Sequence, residues 1–194
     1  MTWKISDEVS AAASGGGGGG GNYWGPSKIK SGTETRIHVL AEEPTCYFSV
    51  WAESADGKNR CFRFVSQPTA EEIEEEMGTE YRRKQRDGKP DALKAAIAFP
   101  IYNYQADEVQ LCEISQKSLI QAFDKVANME EYDDFDSIDF NISKEGSGLE
   151  TRYTLTPVPT RASNREKLEE AWSVANKTIS MEKYVAGEQP FAKA

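Results

Sequence analysis

The sequence has little of the chemistry on which most metal sites and catalytic centres depend. It contains one histidine, His38, and three widely spaced cysteines, with no Cys-x-x-Cys or His-x-x-x-His spacing. This scarcity argues against a zinc site and against a disulfide framework, and it favours buried, reduced thiols at Cys46, Cys61 and Cys112. No nucleophile stands beside a base at a recognisable spacing, and the acidic run 133–136 is typical of a surface loop. We therefore expect a protein that is not an enzyme, with no cofactor and no metal, in which His38 is an ordinary strand residue.

Long hydrophobic runs are also absent. No apolar stretch approaches the ~20 residues that a membrane helix requires, and the N-terminal residues lack a secretory hydrophobic region. The sequence thus predicts a soluble, cytoplasmic protein without membrane contact. With 194 residues and 38% hydrophobic content, it has enough material for one domain with appendages.

Positive charge is outnumbered overall: 23 lysines and arginines stand against 32 aspartates and glutamates, which gives a formal net charge of -9. A generally basic nucleic-acid-binding protein is therefore excluded. The charges are segregated, however: 24–40 and 141–165 are net positive, whereas acid is concentrated in 71–80 and 130–136. A protein with this segregation can bind a polyanion with one face and repel it with another.

Alternating apolar and polar residues predict a fold that is mainly β with flanking helices, in the α+β class. Strands are predicted at 36–40, 46–51, 60–65, 95–104, 108–114 and 137–143, and again from Arg152 to Pro159. Helices are predicted from Thr69 to about Arg86, from Ser115 to about Met129 and from Ser163 to about Asn176. A glycine-rich turn at 146–148 joins the last two strands into a hairpin.

Several segments, taken in order, carry a resemblance to a known family. Residues 146–157 read Gly-Ser-Gly-Leu-Glu-Thr-Arg-Tyr-Thr-Leu-Thr-Pro, and residues 98–104 read Ala-Phe-Pro-Ile-Tyr-Asn-Tyr. With Asn22-Tyr23-Trp24 and the arginine-bearing strand 36–40, they resemble the single-stranded DNA-binding proteins of tailed bacteriophages, over about 23–159.

The resemblance implies an OB-like five-stranded barrel with an extra hairpin and helices. It also implies a protein that coats single-stranded DNA during phage DNA replication, recombination and repair, in the cytoplasm of an infected host. Some members of that family hold a structural zinc, and this sequence departs from them in lacking the ligand spacing.

The residues expected to bind single-stranded DNA are rings, on which bases would stack, and cations, which would contact phosphates. The rings are Trp24, Tyr47, Trp51, Tyr102, Tyr104 and Tyr153. The cations are Lys28, Lys30, Arg36, Arg60, Arg82, Arg83, Lys144 and Arg152. Since Arg152 and Tyr153 are adjacent, either a bulge aims both at the groove or one of them packs inward.

The ends of the chain are expected to be appendages of a core at 23–160. They comprise an arm at 1–14, a glycine linker at 15–22, a helix at 161–178 and a flexible tail at 179–194. The glycine run lacks the Lys and Ser/Thr of a P-loop and is typical of a flexible linker. The arm is either a disordered tail or a peptide that docks on a neighbouring copy. Arm and tail are candidate contacts for replication or recombination proteins and for self-association along DNA.

Two other functions fit the sequence. One is a small β-barrel protein-interaction module that does not bind nucleic acid and whose rings belong to the core. The other is a nuclease that uses the acidic clusters with magnesium. Binding of single-stranded DNA, with and without magnesium, distinguishes the three.

Overall fold

A computed structural model describes residues 3–6, 8–9, 22–86, 88–132 and 135–192. Its strands are β1 (Tyr23–Trp24), β2 (Thr33–Val39), β3 (Thr45–Ser54), β4 (Asn59–Phe64), β5 (Tyr81–Arg83), β6 (Gln85–Arg86), β7 (Lys89–Pro90), β8 (Lys94–Asn103), β9 (Glu108–Ile114), β10 (Ile138–Glu145) and β11 (Arg152–Pro159). Its helices are α1 (Ala70–Met77), α2 (Lys117–Ala127), α3 (Arg165–Thr178) and α4 (Met181–Val185). All strands except the β6–β7 pair join one nine-stranded sheet. The predicted α+β class with flanking helices is confirmed.

The long strand β8 organises this sheet. On one side its residues 97–103 pair with β9, and on the other side its first half pairs with β3 and its second half with β2. From β2 the sheet continues through β10 to β11, while β4 and β5 extend from β3. Within the described residues β11 does not pair with β4 or β5, so a closed barrel is not formed.

Strand alternation gives the sheet two faces, which we call inner and outer. The inner face carries the main core, in which Phe99 and Phe140 of the sheet pack against Phe123 of α2. The outer face carries Tyr47 and Tyr102, which pack against residues of the C-terminal segment.

The described part of the N-terminal arm belongs to the main core. Trp3, Ile5 and Val9 are all buried, and the Trp3 ring lies 4.8 Å from that of Phe135 and 5.4 Å from that of Phe99. The interpretation of the arm as a disordered tail is therefore wrong for these residues, which dock on their own chain. The predicted glycine linker lies outside the described residues except for Asn22.

The helix predicted from Thr69 to about Arg86 is shorter than expected. Its capping box is confirmed, since the Thr69 hydroxyl accepts from the backbone N–H of Glu72 and the Glu72 carboxylate accepts from that of Thr69. The helix ends at Met77 because Gly78 takes φ 58°, a conformation that favours glycine. The basic residues that follow lie instead on β5, which pairs with β3.

The C-terminal segment is also more ordered than predicted. Beyond α3, the residues expected to form a flexible tail include α4, and Ile179 pairs with Phe191 in an isolated bridge. The Phe191 ring lies 5.0 Å from the ring of Tyr23. The tail prediction is therefore wrong through residue 192, the last that the structure describes.

The three cysteines are free thiols, as predicted; Cys112 is buried, whereas Cys46 and Cys61 are half-buried. None of the helices in the described part of the chain is long and apolar enough to cross a membrane.

Candidate nucleic-acid interface

Trp51 lies near the end of β3 on the outer face, and 37% of its surface is exposed. Two residues earlier on the same face, Ser49 pairs with Arg63 of β4 and with Lys94 of β8. Cross-strand partners point to the same face of a sheet. Both cations therefore share a face with the exposed indole ring.

Strand β5 and the residue after it add two more cations near Trp51. Arg82 pairs with Glu53, and the backbone N–H of Lys84, which follows β5, donates to the carbonyl of Trp51 at 2.9 Å. The register of β5 places Arg82 on the outer face, and the same alternation continued by one residue places Lys84 there as well. Acid is also present here, since Glu53 lies opposite Arg82 and the charge of Glu113 acts on Arg63. We call the following set the Trp51 surface: Trp51, Arg63, Arg82, Lys84 and Lys94.

Arg63 is held in place by the C-terminal segment. Its guanidinium lies 4.1 Å from the centre of the Tyr184 ring, and it donates to the Tyr184 carbonyl at 3.2 Å. Its Nε atom is buried without a hydrogen-bond partner in the described part of the chain. Burial, together with the charge of Glu113, raises the pKa of the Tyr184 hydroxyl. Tyr184 therefore stays neutral at ordinary pH and supplies a ring rather than a charge for Arg63 to stack on.

A second polar group on the outer face is built around Asp139, which is fully buried on β10. Arg36 Nε donates to Asp139 Oδ2 at 2.7 Å, and His38 Nδ1 lies 2.8 Å from Oδ1. The hydroxyls of Tyr104 and Thr160 also donate to Oδ1, at 3.1 and 2.9 Å. Such a number of donors is what a buried carboxylate requires.

The ionisation of this group follows from its contacts. Burial acts to raise the pKa of Asp139, but hydrogen bonds from His38, Arg36 and Thr160 outweigh it and hold that pKa below its ordinary value. Burial, followed by the nearby Asp139 charge, raises the pKa of Tyr104 to about 12. Asp139 is thus a carboxylate and Tyr104 a neutral donor at neutral pH.

Arg36 keeps part of its side chain, 25%, exposed to solvent while it binds Asp139. Its guanidinium also lies 5.3 Å from the centre of the Tyr104 ring. On the strands beyond it, Asn141 and the exposed Thr156 continue the same face. This part of the outer face therefore presents Arg36 and neutral hydrogen-bonding groups, with the exposed Glu34 near the start of β2 on the same face.

The end of the β10–β11 hairpin brings together five other predicted residues. Lys144 Nζ donates to the Ser27 carbonyl at 3.3 Å and lies 6.0 Å from the centre of the Tyr153 ring. Glu145 pairs with Arg152 and Lys144 with Tyr153, so the hairpin has no bulge there and the two neighbours face opposite ways. Tyr153 is the one that packs inward, against the main core. The five residues at this end are Lys28, Lys30, Lys144, Arg152 and Tyr153, of which Arg152 lies on the opposite face from Lys144 and Tyr153.

Three of the predicted stacking rings are not accessible. Trp24 is buried in the main core, Tyr47 is buried under Tyr184, and Tyr102 is buried beneath α3. The Tyr47 and Tyr184 hydroxyls lie 2.9 Å apart, and the Tyr102 hydroxyl donates to Asp107. A base has no access to these rings in this arrangement, so their predicted role has no support from their positions.

Two predicted cations are engaged elsewhere. The Arg60 guanidinium lies 4.7 Å from the centre of the Phe62 ring, and Arg83 Nε donates to the Asp91 carbonyl at 2.8 Å. By alternation Arg83 points to the inner face, opposite Arg82. Within the described ranges, His, Cys, Asp and Glu form no group of three or more that could hold a metal ion.

Sequence reasoning missed Arg63, Lys84, Lys94 and Asp139. The first three stand on segments that are far apart in sequence and become neighbours only through pairing with β3. A signal did exist for Asp139, which stands between Ile138 and Phe140 in a strand. A charged residue in an apolar strand predicts a buried partner.

Comparison of the chain with protein-family models, curated proteins and solved structures finds no match.

Proposed function

We propose that the protein binds single-stranded DNA without sequence preference, through the Trp51 surface and the outer face of its sheet. In this role it coats and protects single strands during phage DNA replication, recombination and repair. The observation that carries the proposal is an exposed indole among four cations in a chain whose net charge is -9. Stacking on a ring contributes ~1–3 kcal/mol per base and tolerates any base, because every base has an apolar face.

The fold is, on this proposal, an open variant of the OB-like barrel. Strand β8 is shared between β3 and β2 in the way that a bent strand is shared between the two halves of a small barrel.

The distribution of acid supports the same orientation. Helix α1 contains five glutamates and packs through Ile73 and Met77 against Val50 and Phe62, which are on the inner face. The helix is thus attached to the opposite side of β3 from Trp51, although three of its carboxylates, Glu72, Glu75 and Glu76, reach the edge of β4 and line a cavity there with Arg60 and Arg63. The outer face can attract a strand while the inner face repels a second one.

The first test is replacement of Trp51. In titrations of a fluorescent oligo-dT, Trp51→Ala is expected to weaken binding about tenfold or more, since one stacked base is lost. Trp51→Phe retains a ring and should retain most of the affinity. Equal affinity of the wild type and Trp51→Ala would remove the stacking platform from the proposal.

The second test concerns the cations around it. Lys94→Ala should weaken oligo-dT binding and make it less dependent on salt, because a lysine that contacts phosphate releases counterions. The matched control is Lys125→Ala, an exposed lysine on α2, the helix that covers the inner face. If both variants weaken binding equally, the effect is one of net charge and the assigned surface is wrong.

A further inference from the structure

A cavity of about 530 Å³ lies between α3 and the end of β2, apart from the Trp51 surface. Helix α3 contributes residues spaced as i, i+3, i+4 and i+7, which form one side of a helix. The cavity is lined by residues that include His38, Leu40, Asp136, Arg165, Leu168, Glu169 and Trp172. Its size is in the range that accommodates a small ligand.

His38 is the polar group fixed at the floor of this cavity. It is only 3% exposed, and its Nδ1 is occupied by Asp139 at 2.8 Å. Its Nε2 has no hydrogen-bond partner within the described ranges, although the ring lines the cavity. Asp139 thus orients the ring and leaves Nε2 available. When Nδ1–H donates to Asp139 and the ring is neutral, Nε2 can accept a hydrogen bond from a ligand.

The remaining lining groups form a slot with apolar walls and a polar rim. Leu40, Leu168 and the Trp172 ring supply apolar surface, whereas Arg165 supplies donors and the carboxylates of Glu169 and Asp136 supply acceptors. Neither Arg165 nor Glu169 forms an ion pair with any residue that the structure describes. The cavity therefore offers carboxylate and imidazole acceptors, the several N–H donors of the Arg165 guanidinium and the flat ring of Trp172.

We propose that this cavity binds one guanine base of the single strand, an inference that rests on the proposed function. Guanine has N–H donors at N1 and N2, which match the acceptors of Glu169 and His38. It has acceptors at O6 and N7, which match the paired N–H donors of Arg165. Its flat face suits Trp172, since unpaired bases are recognised by stacking together with hydrogen bonds to their edges. Binding at this site adds a base preference to coating that otherwise ignores sequence.

The position of the cavity agrees with this role. Arg36 stands two residues before His38 on the same face of β2, and both bind the carboxylate of Asp139. The exposed part of the Arg36 side chain can contact a phosphate. A strand that passes over Arg36 can therefore insert the neighbouring base into the cavity.

The test is calorimetric titration of the full-length protein with dGMP, dAMP, dCMP and dTMP. dGMP should bind most tightly, by about tenfold or more, since one well-matched edge discriminates by ~1–3 kcal/mol. Glu169→Gln should abolish that preference. Glu166→Gln, on the same helix but not lining the cavity, should leave it unchanged. Equal binding of the four nucleotides, no binding, or a preference that survives Glu169→Gln overturns the inference.

A second measurement separates this inference from the proposed function. An oligo-dT with one central dG should bind more tightly than oligo-dT alone, and the difference should disappear in Glu169→Gln. If oligo-dT binds but the dG adds nothing, the cavity inference fails and the proposed function stands. If neither oligonucleotide binds, the proposed function fails as well.

Discussion

At the scale of single residues, Asp139 is the group on which the outer face depends most. Four side chains donate to its carboxylate, and they come from β2, from the residue after β8 and from the residue after β11. When one partner is removed from a buried charge network, the remaining charge stays buried without an opposite charge, and the folded state loses stability. The same carboxylate positions both Arg36 and His38, so stability and binding are connected there.

Asp139→Asn tests this arrangement. The amide cannot accept from four donors as a carboxylate does, and we expect the free energy of unfolding to fall by about 3–5 kcal/mol. Urea denaturation at neutral pH measures the change. Asp56→Asn, in the exposed β3–β4 turn, is the control and should leave stability almost unchanged. A stable Asp139→Asn variant would mean that the network contributes little.

The same carboxylate predicts a pH dependence. Its folded-state pKa is held below the ordinary aspartate value of 3.8, so its contribution is fully present above about pH 4 and is lost as the pH falls through the folded pKa. The stability difference between the wild type and Asp139→Asn should therefore narrow on acidification from pH 5 to pH 3. Urea titrations at several pH values check this, and a difference that stays constant would assign the stability to another group.

At the scale of elements, alternation in the sequence predicted most of the strands of the large sheet, because most of them bury one face; β8, which buries both, is instead a nearly continuous apolar run. The prediction for α1 extended the helix too far towards its C-terminal end. The helix ends at Met77 because of the backbone angle of one glycine, Gly78, which the sequence pattern does not reveal. Helix α4 was missed because it is short, and its position depends on contacts between Tyr184 and Tyr47. The sequence pattern cannot reveal which distant surface such a helix covers.

The same limit applies to the rings expected to stack on bases. Alternation places Tyr47 and Trp51 on one face of β3, but it does not say which of them is covered. In the structure, residues from α3 onward cover Tyr47 and Tyr102, whereas Trp51 remains exposed. Which predicted rings are accessible therefore depends on the packing of the C-terminal segment, which the strand pattern does not contain.

The arm that contains Trp3 gives a prediction at the same scale. Trp3 contacts the rings of Phe99, Phe123 and Phe135, and Trp3→Ala should lower the free energy of unfolding by about 3–5 kcal/mol, the usual cost of removing a large buried ring. Urea denaturation measures it. Lys4→Ala, on the adjacent exposed residue, is the matched control. If Trp3→Ala is as stable as Lys4→Ala, the arm does not belong to the folded core.

At the scale of the whole molecule, the central feature is the uneven distribution of charge over the sheet. Strands β4, β5 and β8 carry cations on the face of Trp51. Helix α1, with five glutamates, packs on the inner face and meets the cations only at the edge of β4, where Glu72, Glu75 and Glu76 line a cavity with Arg63. A net negative protein with such a distribution should bind a single nucleic-acid strand and repel a second strand. Duplex DNA is also disfavoured because its bases are already stacked and offer no free face to the indole.

The most direct measurement is the affinity of the full-length protein for a labelled oligo-dT and for a duplex of equal length, each at several salt concentrations. We predict that oligo-dT binds much more tightly than the duplex. We also predict that its affinity falls steeply as salt increases, with a shallower slope in Lys94→Ala. Equal affinity for the two forms, or oligo-dT binding that does not change with salt, would contradict the assignment of the outer face to single-stranded DNA.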